Sequence, residues 1–239
     1  MDLPDIKPIR AFLEERHVAF AREIAAWSVA LGRRGVPQDD AACRMEARAL
    51  LQMLGKDRWF EPIKAQDWRS CCLAREALAA VSPLADAVFA LQALGALPIF
   101  RSGSPQQREL YALPAVSGRS MAAFAMTERQ AGSDVSAIAT TAVREGDSYV
   151  LDGLKTFISN AGIADFYTVF ASTDLGARSK GISCFVVPAH SDGLRFVGPQ
   201  ILSAPHPLGE IQFDGCRVPL ENRVGEEGKG FGIGLGTLD

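Results

Sequence analysis

The feature that most constrains the fold is a change in the hydrophobic period of the sequence near Gly118. Before it, apolar residues recur at the spacing of about 3.6 residues that places them on one face of a helix. After it, they recur about every second residue, which is the period of strands. The chain is therefore predicted to be α+β, with an all-helical domain over residues 1–118 followed by an antiparallel β-barrel or sandwich over residues 119–230.

Start signals divide the first half into helices. Asp39 or Asp40 is a candidate cap for one helix, and Ser82 and Ser104 each precede a proline that can occupy the first helical turn. The predicted helices cover about residues 9–31, 40–54, 68–80, 83–97 and 105–116. Residues 59–62 are predicted to be a loop with aromatic anchors.

Turn residues divide the second half into strands. The segments 145–148 and Asp152-Gly153 have turn chemistry, so the runs beside them are predicted to be three successive antiparallel strands. The predicted strands cover residues 121–126, 140–143, 149–151, 154–159, 166–171, 182–187, 194–197, 210–213 and 216–218.

Composition and charge restrict the partners of the chain. Its formal net charge of −3 argues against nucleic acid as a main partner, because phosphate binding needs a concentrated basic face. Polar residues and prolines interrupt the most apolar stretch, residues 77–100, so no membrane span is expected. The first residues lack the basic segment and apolar run of an export signal, so we expect a cytoplasmic protein.

Neither the cysteines nor the histidines predict a metal site. The five cysteines show no paired spacing for zinc, and without an export signal they are expected to be reduced thiols. The three histidines lie far apart in the sequence. The sequence therefore gives no support for metal catalysis.

Two predicted strands end abruptly in polar sequence. The strand 121–126 runs into Thr-Glu-Arg-Gln-Ala-Gly-Ser-Asp at 127–134, and the strand 154–159 ends in Phe157-Ile-Ser159 before Asn160. Such ends present backbone N–H groups and hydroxyls at the edge of a sheet, where a planar polar ligand can be hydrogen-bonded. An aromatic ring followed by a hydroxyl can cover one side of a flat ring and donate one hydrogen bond to it.

These two segments resemble the flavin-contacting signatures of the acyl-CoA dehydrogenases. The similarity is carried by Met-Thr-Glu-x-x-Ala-Gly-Ser-Asp at 126–134 and Leu-Lys-x-Phe-Ile-Ser-Asn-Ala-Gly at 154–162. Further matches flank them at residues 104–114, 180–188, 213–219 and 225–231. The ordered set spans roughly residues 90–239, whereas the first ninety residues are similar only in being rich in helix.

The resemblance implies FAD as the cofactor and an acyl-CoA as the substrate. In the family, a carboxylate removes the α proton of the acyl thioester while the flavin N5 accepts the β hydride. By position, Thr127 would contact the pyrimidine end of the ring, Ser159 would reach N5, and Phe157 would pack on the ring where tryptophan is usual. Ser133 would lie beside the CoA. The implied cofactor-binding residues are Phe124, Met126, Thr127, Gly132, Ser133, Phe157, Ile158 and Ser159.

Each of these residues has a simpler interpretation when taken alone. Thr127 and Ser133 are typical of turns and caps, and a lone phenylalanine such as Phe157 is more often part of a core. The ordered set of motifs outweighs these interpretations.

Three nearby residues are interpreted without a cofactor. Glu128 and Asp134, by themselves, are typical of solvated charges. His206 lies where contacts vary within the family, and it is predicted to be structural or solvent-facing.

The resemblance also implies what residues 1–239 lack. Family members continue into a helical bundle that supplies the catalytic glutamate, so no catalytic residue is predicted in this chain, and residues 231–239 are predicted to begin the first helix of that bundle. A separate polypeptide would then supply the second half, in a homo- or hetero-oligomer, or the chain would be truncated or degenerate. The resemblance names no electron acceptor. Two other hypotheses are a noncatalytic, partner-dependent subunit and a flavin monooxygenase or oxidase on the same fold.

Overall fold

A computed structural model describes residues 4–32 and 34–238. The helices are α1 (Glu15–Leu31), α2 (Asp40–Lys56), α3 (Glu61–Ala65), α4 (Trp68–Val81), α5 (Pro83–Ser102), α6 (Pro105–Gln107), α7 (Leu113–Val116) and α8 (Gly230–Leu238). A π-helical turn, Arg108–Ala112, joins α6 to α7.

Side-chain caps fix most of the helix starts. Asp39 caps α2 by accepting from the Ala42 N–H, and Ser82 and Ser104 cap α5 and α6 in the same way. The prediction of a helix from residue 9 is wrong, because Arg10–Phe12 is a separate 3₁₀ turn and α1 begins only at Glu15. The predicted loop at 59–62 is also wrong in part, since α3 starts within it.

Helix α5 forms the centre of the helical layer. It continues past the predicted end at Leu97 and through Pro98, and within the described part of the chain it is the one helix long and apolar enough to cross a membrane by length and composition. The interruptions noted in the sequence therefore do not exclude a span by themselves. Val88, Phe89 and Ile99 of this helix lie in the core, as is typical of the core helix of a globular protein.

Eight strands form one sheet. They are β1 (Ala122–Ala125), β2 (Thr141–Glu145), β3 (Ser148–Ser159), β4 (Phe166–Ser172), β5 (Ile182–Pro188), β6 (Leu194–Pro199), β7 (Leu208–Pro219) and β8 (Arg223–Val224). Their order is β6-β7-β3-β2-β4-β5-β8, and β1 pairs with β4. Most pairs are antiparallel, but β1 runs parallel to β4, as does β2 where Thr141 meets Ser172. The predicted α+β class is confirmed.

Two predicted breaks between strands are wrong. Asp152-Gly153 is not a turn, because β3 continues through it and the pairing with β7 shifts register between Leu151 and Gly153. The segments predicted at 210–213 and 216–218 are likewise parts of the single strand β7. A β-bulge and a turn use the same residues, so the local sequence does not separate them.

Alternating side chains of the central strands face two different cores. In β4, Phe166 and Phe170 pack with the helices, whereas Tyr167 and Val169 pack inside the β layer. Strands covered on both faces are typically continuous apolar runs, which is how β4 and β5 appear in the sequence. The helical and β layers therefore share one core across the boundary predicted at residue 118, and that boundary stays a prediction.

Close packing fixes β1 against the helices. A side chain at Gly95 of α5 would bring its Cβ within 2.5 Å of the Ala122 Cβ, so α5 lies directly on β1. The Thr168 hydroxyl donates to the Gly95 carbonyl at 2.8 Å, and the Arg48 guanidinium makes two bonds of 2.8 Å to Asp165. These contacts fix β1 and its partner strand β4 against the helical layer.

Candidate functional site

The ends of β1 and β3 lie side by side. The Thr156 N–H donates to the Thr127 carbonyl at 3.0 Å, and the Lys155 ammonium donates to the Met126 carbonyl at 3.1 Å. Segments that are almost thirty residues apart in sequence thus form one edge. We call the surface formed by Thr127, Phe157 and Ser159 the strand-end edge.

A buried ion pair links the two segments that form the strand-end edge. The Lys155 ammonium lies 2.7 Å from a Glu128 carboxylate oxygen, and the two side chains are only 0% and 3% exposed. The carboxylate also accepts from the Ala139 N–H at 2.7 Å and from the Thr140 N–H at 3.0 Å. The interpretation of Glu128 as a solvated charge was therefore wrong.

The charged neighbours decide the ionisation of this pair. Burial acts to raise the pKa of Glu128, but the charge and hydrogen bond of Lys155 outweigh it, so the pKa lies below its ordinary value. Burial lowers the pKa of Lys155 to about 8, against the opposing pull of Glu128. Both side chains are thus charged at neutral pH. One feature of the sequence indicates this pair. Lys155 continues the alternation of Leu151 and Gly153 along β3, which places it on the inward side of the strand, where a charged residue needs a partner.

A second β-bulge turns Phe157 outward. The register between β3 and β7 shifts between Lys155 and Ile158, and Phe157 adopts a left-handed backbone with φ of 55°. Its N–H donates to the Gln200 side-chain oxygen at 2.7 Å, and its side chain is left 58% exposed. A bulge of this kind re-aims one side chain, and here it presents an aromatic ring at the surface.

Ser159 is paired with a histidine that the sequence did not connect to it. The Ser159 hydroxyl lies 2.8 Å from the Nε2 of His206, and both residues are half-buried. Burial lowers the pKa of His206, which keeps the imidazole neutral at pH 7. The prediction that His206 is structural or solvent-facing did not anticipate this contact, whose partners are 47 residues apart.

The remaining candidate residues separate into buried and exposed groups. The side chains of Met126 and Ile158 lie in the two cores, and Phe124 is half-buried, with its ring centroid 4.8 Å from that of Phe170. Gly132 and Ser133 lie exposed in the loop after β1. The structure therefore brings the strand-end edge together and leaves this loop at the surface.

Arg178 anchors that loop. The Asp134 carboxylate accepts from the Ser136 N–H at 3.1 Å and pairs with Arg178 at 2.8 Å. Asp134 is exposed, as interpreted, but it is part of an ion pair.

The strand-end edge has the chemistry that a flat ring with a polar rim requires. Phe157 offers an exposed aromatic face, and Thr127 and Ser159 are half-buried hydroxyl residues on adjacent strand ends. These residues fit an isoalloxazine ring. Within residues 4–32 and 34–238, no group of three or more His, Cys, Asp or Glu side chains could hold a metal ion.

Comparison with known proteins points to one family. Residues 123–216 match the family model described as "Acyl-CoA dehydrogenase, middle domain". The short-chain specific acyl-CoA dehydrogenase of Clostridium acetobutylicum is 40% identical over 144 residues, which are 57% of this chain and 37% of that protein. The chain thus spans little more than a third of this relative's length.

Solved structures agree with the match. The glutaryl-CoA dehydrogenase glutaryl-CoA complex is similar with a TM-score of 0.83 and 28% identity, over 95% of this chain and 60% of that one. An acyl-CoA dehydrogenase from Bacillus anthracis, solved in complex with FAD, is similar with a TM-score of 0.81 and 25% identity, over 95% of this chain and 41% of that one.

Proposed function

We propose that the strand-end edge holds the isoalloxazine ring of FAD during the α,β-dehydrogenation of an acyl-CoA, in a chain whose residues 123–216 match the model of the acyl-CoA dehydrogenase middle domain. The observation that carries the proposal is the bulge that exposes Phe157 beside Thr127 and Ser159. When bound, FAD supplies the acceptor for the β hydride.

Each residue of the edge has a distinct role in this proposal. Phe157 covers one face of the ring and excludes water from it. Thr127 meets the pyrimidine end of the ring, and the Ser159 hydroxyl meets N5. The Glu128–Lys155 pair holds the two strand ends at a fixed separation, because its bonds run to both segments. Gly132 and Ser133, which are exposed, are proposed to contact the CoA chain.

The base that removes the α proton is proposed to lie outside residues 1–239. The carboxylates around the edge are already engaged: Glu128 with Lys155, Asp134 with Arg178, and Glu210 with Arg129 at 2.9 Å. A carboxylate held in this way is a poor general base, because its charge is already stabilised by its partner. We propose that the base comes from a further helical segment, on the same or on a partner polypeptide.

Titration with FAD tests the proposal. The purified chain is titrated with FAD, alone and with the C-terminal helical half of a relative added, while the flavin absorption spectrum is followed. We expect Phe157→Ala to weaken binding roughly 3- to 10-fold, the typical contribution of one aromatic contact. Phe12→Ala is the matched control, because Phe12 is 71% exposed on the helical half, and it should leave the affinity unchanged. If no flavin associates under either condition, the proposal is wrong.

The engaged carboxylates also favour a second candidate, a partner-dependent subunit that contributes the flavin edge but no base. Both candidates place the base outside residues 1–239, so addition of acyl-CoA to the isolated chain tests the claim that they share. A noncatalytic subunit binds FAD without reducing it when acyl-CoA is added, and reduction appears only when the helical partner is supplied. Reduction by the chain alone would contradict this candidate.

A further inference from the structure

The pair formed by Ser159 and His206 is not explained by the proposed function. Among the proposed ring contacts, Ser159 is the one whose hydroxyl is bonded to a titratable side chain. The bond joins the last residue of β3 to the segment 200–207, which leads from β6 to β7. His206 therefore controls what the hydroxyl can offer to a ligand.

Several contacts hold the segment 200–207 over the end of β3. The Gln200 amide donates to the Thr156 hydroxyl at 2.9 Å and accepts from the Phe157 N–H at 2.7 Å. The Asn160 N–H donates to the Pro207 carbonyl at 2.6 Å. Prolines stand on both sides of His206 and restrict its backbone, so the imidazole is kept beside the hydroxyl.

The carboxylates that line the space beside His206 already have hydrogen-bond partners. A cavity of about 170 Å³ lies between the start of α2 and this segment, and Asp39, Asp40 and His206 line it. The Asp39 carboxylate accepts from the Ala42 N–H at 2.8 Å, and the Asp40 carboxylate pairs with the Arg44 guanidinium at 2.6 Å. These carboxylates therefore do not compete with Ser159 for the imidazole.

The basicity of the two groups determines which of them donates the proton in the Ser159–His206 hydrogen bond. A neutral imidazole has one nitrogen without a proton, and that nitrogen is a much stronger base than a hydroxyl oxygen. The Ser159 hydroxyl has a single proton, so donating it to Nε2 leaves only lone pairs for a ligand. We propose that His206 is a positioning residue that holds the Ser159 proton and makes the Ser159 oxygen an acceptor toward the flavin. This inference rests on the proposed function.

The consequence is a preference between the two redox states of the flavin. Oxidised N5 accepts a hydrogen bond, whereas reduced N5 carries a proton and donates one. A Ser159 oxygen that can only accept therefore favours the reduced form. Removal of His206 frees the Ser159 proton, so the preference should move toward the oxidised form.

Two measurements test the inference. In the chain without flavin, ¹⁵N NMR should find the His206 Nε2 without a proton, with a shift that changes in Ser159→Ala. In the FAD-loaded protein, with the helical partner added if binding requires it, His206→Leu should change the ratio of the dissociation constants for oxidised and reduced FAD. The expected change is about 3- to 10-fold toward the oxidised form, the contribution of one hydrogen bond.

Control variants separate positioning from a merely structural role. His206→Gln retains an oxygen that can accept the Ser159 proton, so it should keep the ratio near the wild-type value. His190→Leu, at an exposed histidine on the turn after β5, should not change it. In the Ser159→Ala background, His206→Leu should have no further effect on the ratio.

The possible results overturn different claims. An Nε2 that carries a proton, or an equal loss of affinity for both redox forms, would overturn the positioning role while FAD binding stands. Absence of any FAD binding to the wild-type protein would overturn the proposed function and this inference with it.

Discussion

The pairing of β3 with β7 is irregular at two places, and the two places differ in which strand carries the extra residue. It lies on β7 between Phe213 and Cys216 at the first, and on β3 between Lys155 and Ile158 at the second. At the first, Gly153 has φ of 153°, and a Cβ there would lie 2.7 Å from the Thr140 Cα. At the second, four residues later, Phe157 adopts φ of 55° with its ring mostly exposed. At the first place β3 has the only residue type that fits, and at the second it has a residue that rarely adopts that backbone.

The two positions call for different explanations: packing explains Gly153, and we attribute the backbone of Phe157 to function. A side chain at Gly153 would collide with Thr140, so close packing accounts for the glycine at this position. Phe157 is mostly exposed, and its left-handed backbone costs on the order of 1 kcal/mol or more for a residue with a side chain. The bond from its N–H to Gln200 compensates for part of this cost. An outlier of this kind at a proposed cofactor edge motivates the hypothesis that the strain serves to present the ring.

Lys155 lies between the two bulges, and its removal is expected to have the largest effect. Lys155→Met leaves the Glu128 carboxylate buried without its partner, so the free energy of unfolding should fall by about 3–5 kcal/mol. Urea denaturation measures this. Lys64→Met, at an exposed lysine of α3, should change the stability by less than about 0.5 kcal/mol.

A double variant sharpens this prediction. Adding Glu128→Leu to Lys155→Met replaces both charges by apolar side chains, and it should recover part of the lost stability. If the single variant were as stable as the wild-type protein, the pair would not be holding the strand ends together.

The close packing at Gly153 is tested by Gly153→Ala. The added methyl group meets the backbone and side chain of Thr140, so we expect a loss of about 2–4 kcal/mol in the free energy of unfolding, measured by urea denaturation. Gly132→Ala is the matched control, because its φ is not positive and a Cβ there meets nothing within 4 Å. It should be neutral or stabilise by up to about 1 kcal/mol. Equal losses at both positions would remove the distinction made for Gly153.

Local signals account for what the sequence predicted correctly. The caps at Asp39, Ser82 and Ser104 depend on residues within three positions, and the change of period near Gly118 is visible in the order of residues alone. The turn predicted at Asp152-Gly153 is wrong because the local residues do not distinguish a turn from an irregular strand pair. Only the pairing with β7 makes that distinction.

The sequence predicted less of the candidate site than of the fold. Motif similarity selected Thr127, Phe157 and Ser159, but not what holds them. The partners that hold the edge are distant in sequence: Glu128 and Lys155 are separated by 27 residues, and Ser159 and His206 by 47. Such pairs depend on strand order and register, which the hydrophobic periodicity of the sequence does not specify.

The second bulge is tested by Phe157→Gly, for which the smallest change in stability is expected. Glycine adopts a positive φ without strain, and the exposed ring contributes little to the core, so the free energy of unfolding should rise by about 0.5–1 kcal/mol despite the greater entropy of glycine in the unfolded chain. Phe12→Gly, at an exposed phenylalanine without a positive φ, should instead lower it by about 0.5–1 kcal/mol. Thermal and urea unfolding compare the two variants. FAD titration of Phe157→Gly should show weaker binding even though the protein is more stable, because the variant loses the aromatic wall together with the strain. If Phe157→Gly lost stability as Phe12→Gly does, its backbone would not be strained, and the contrast drawn between Phe157 and Gly153 would not hold.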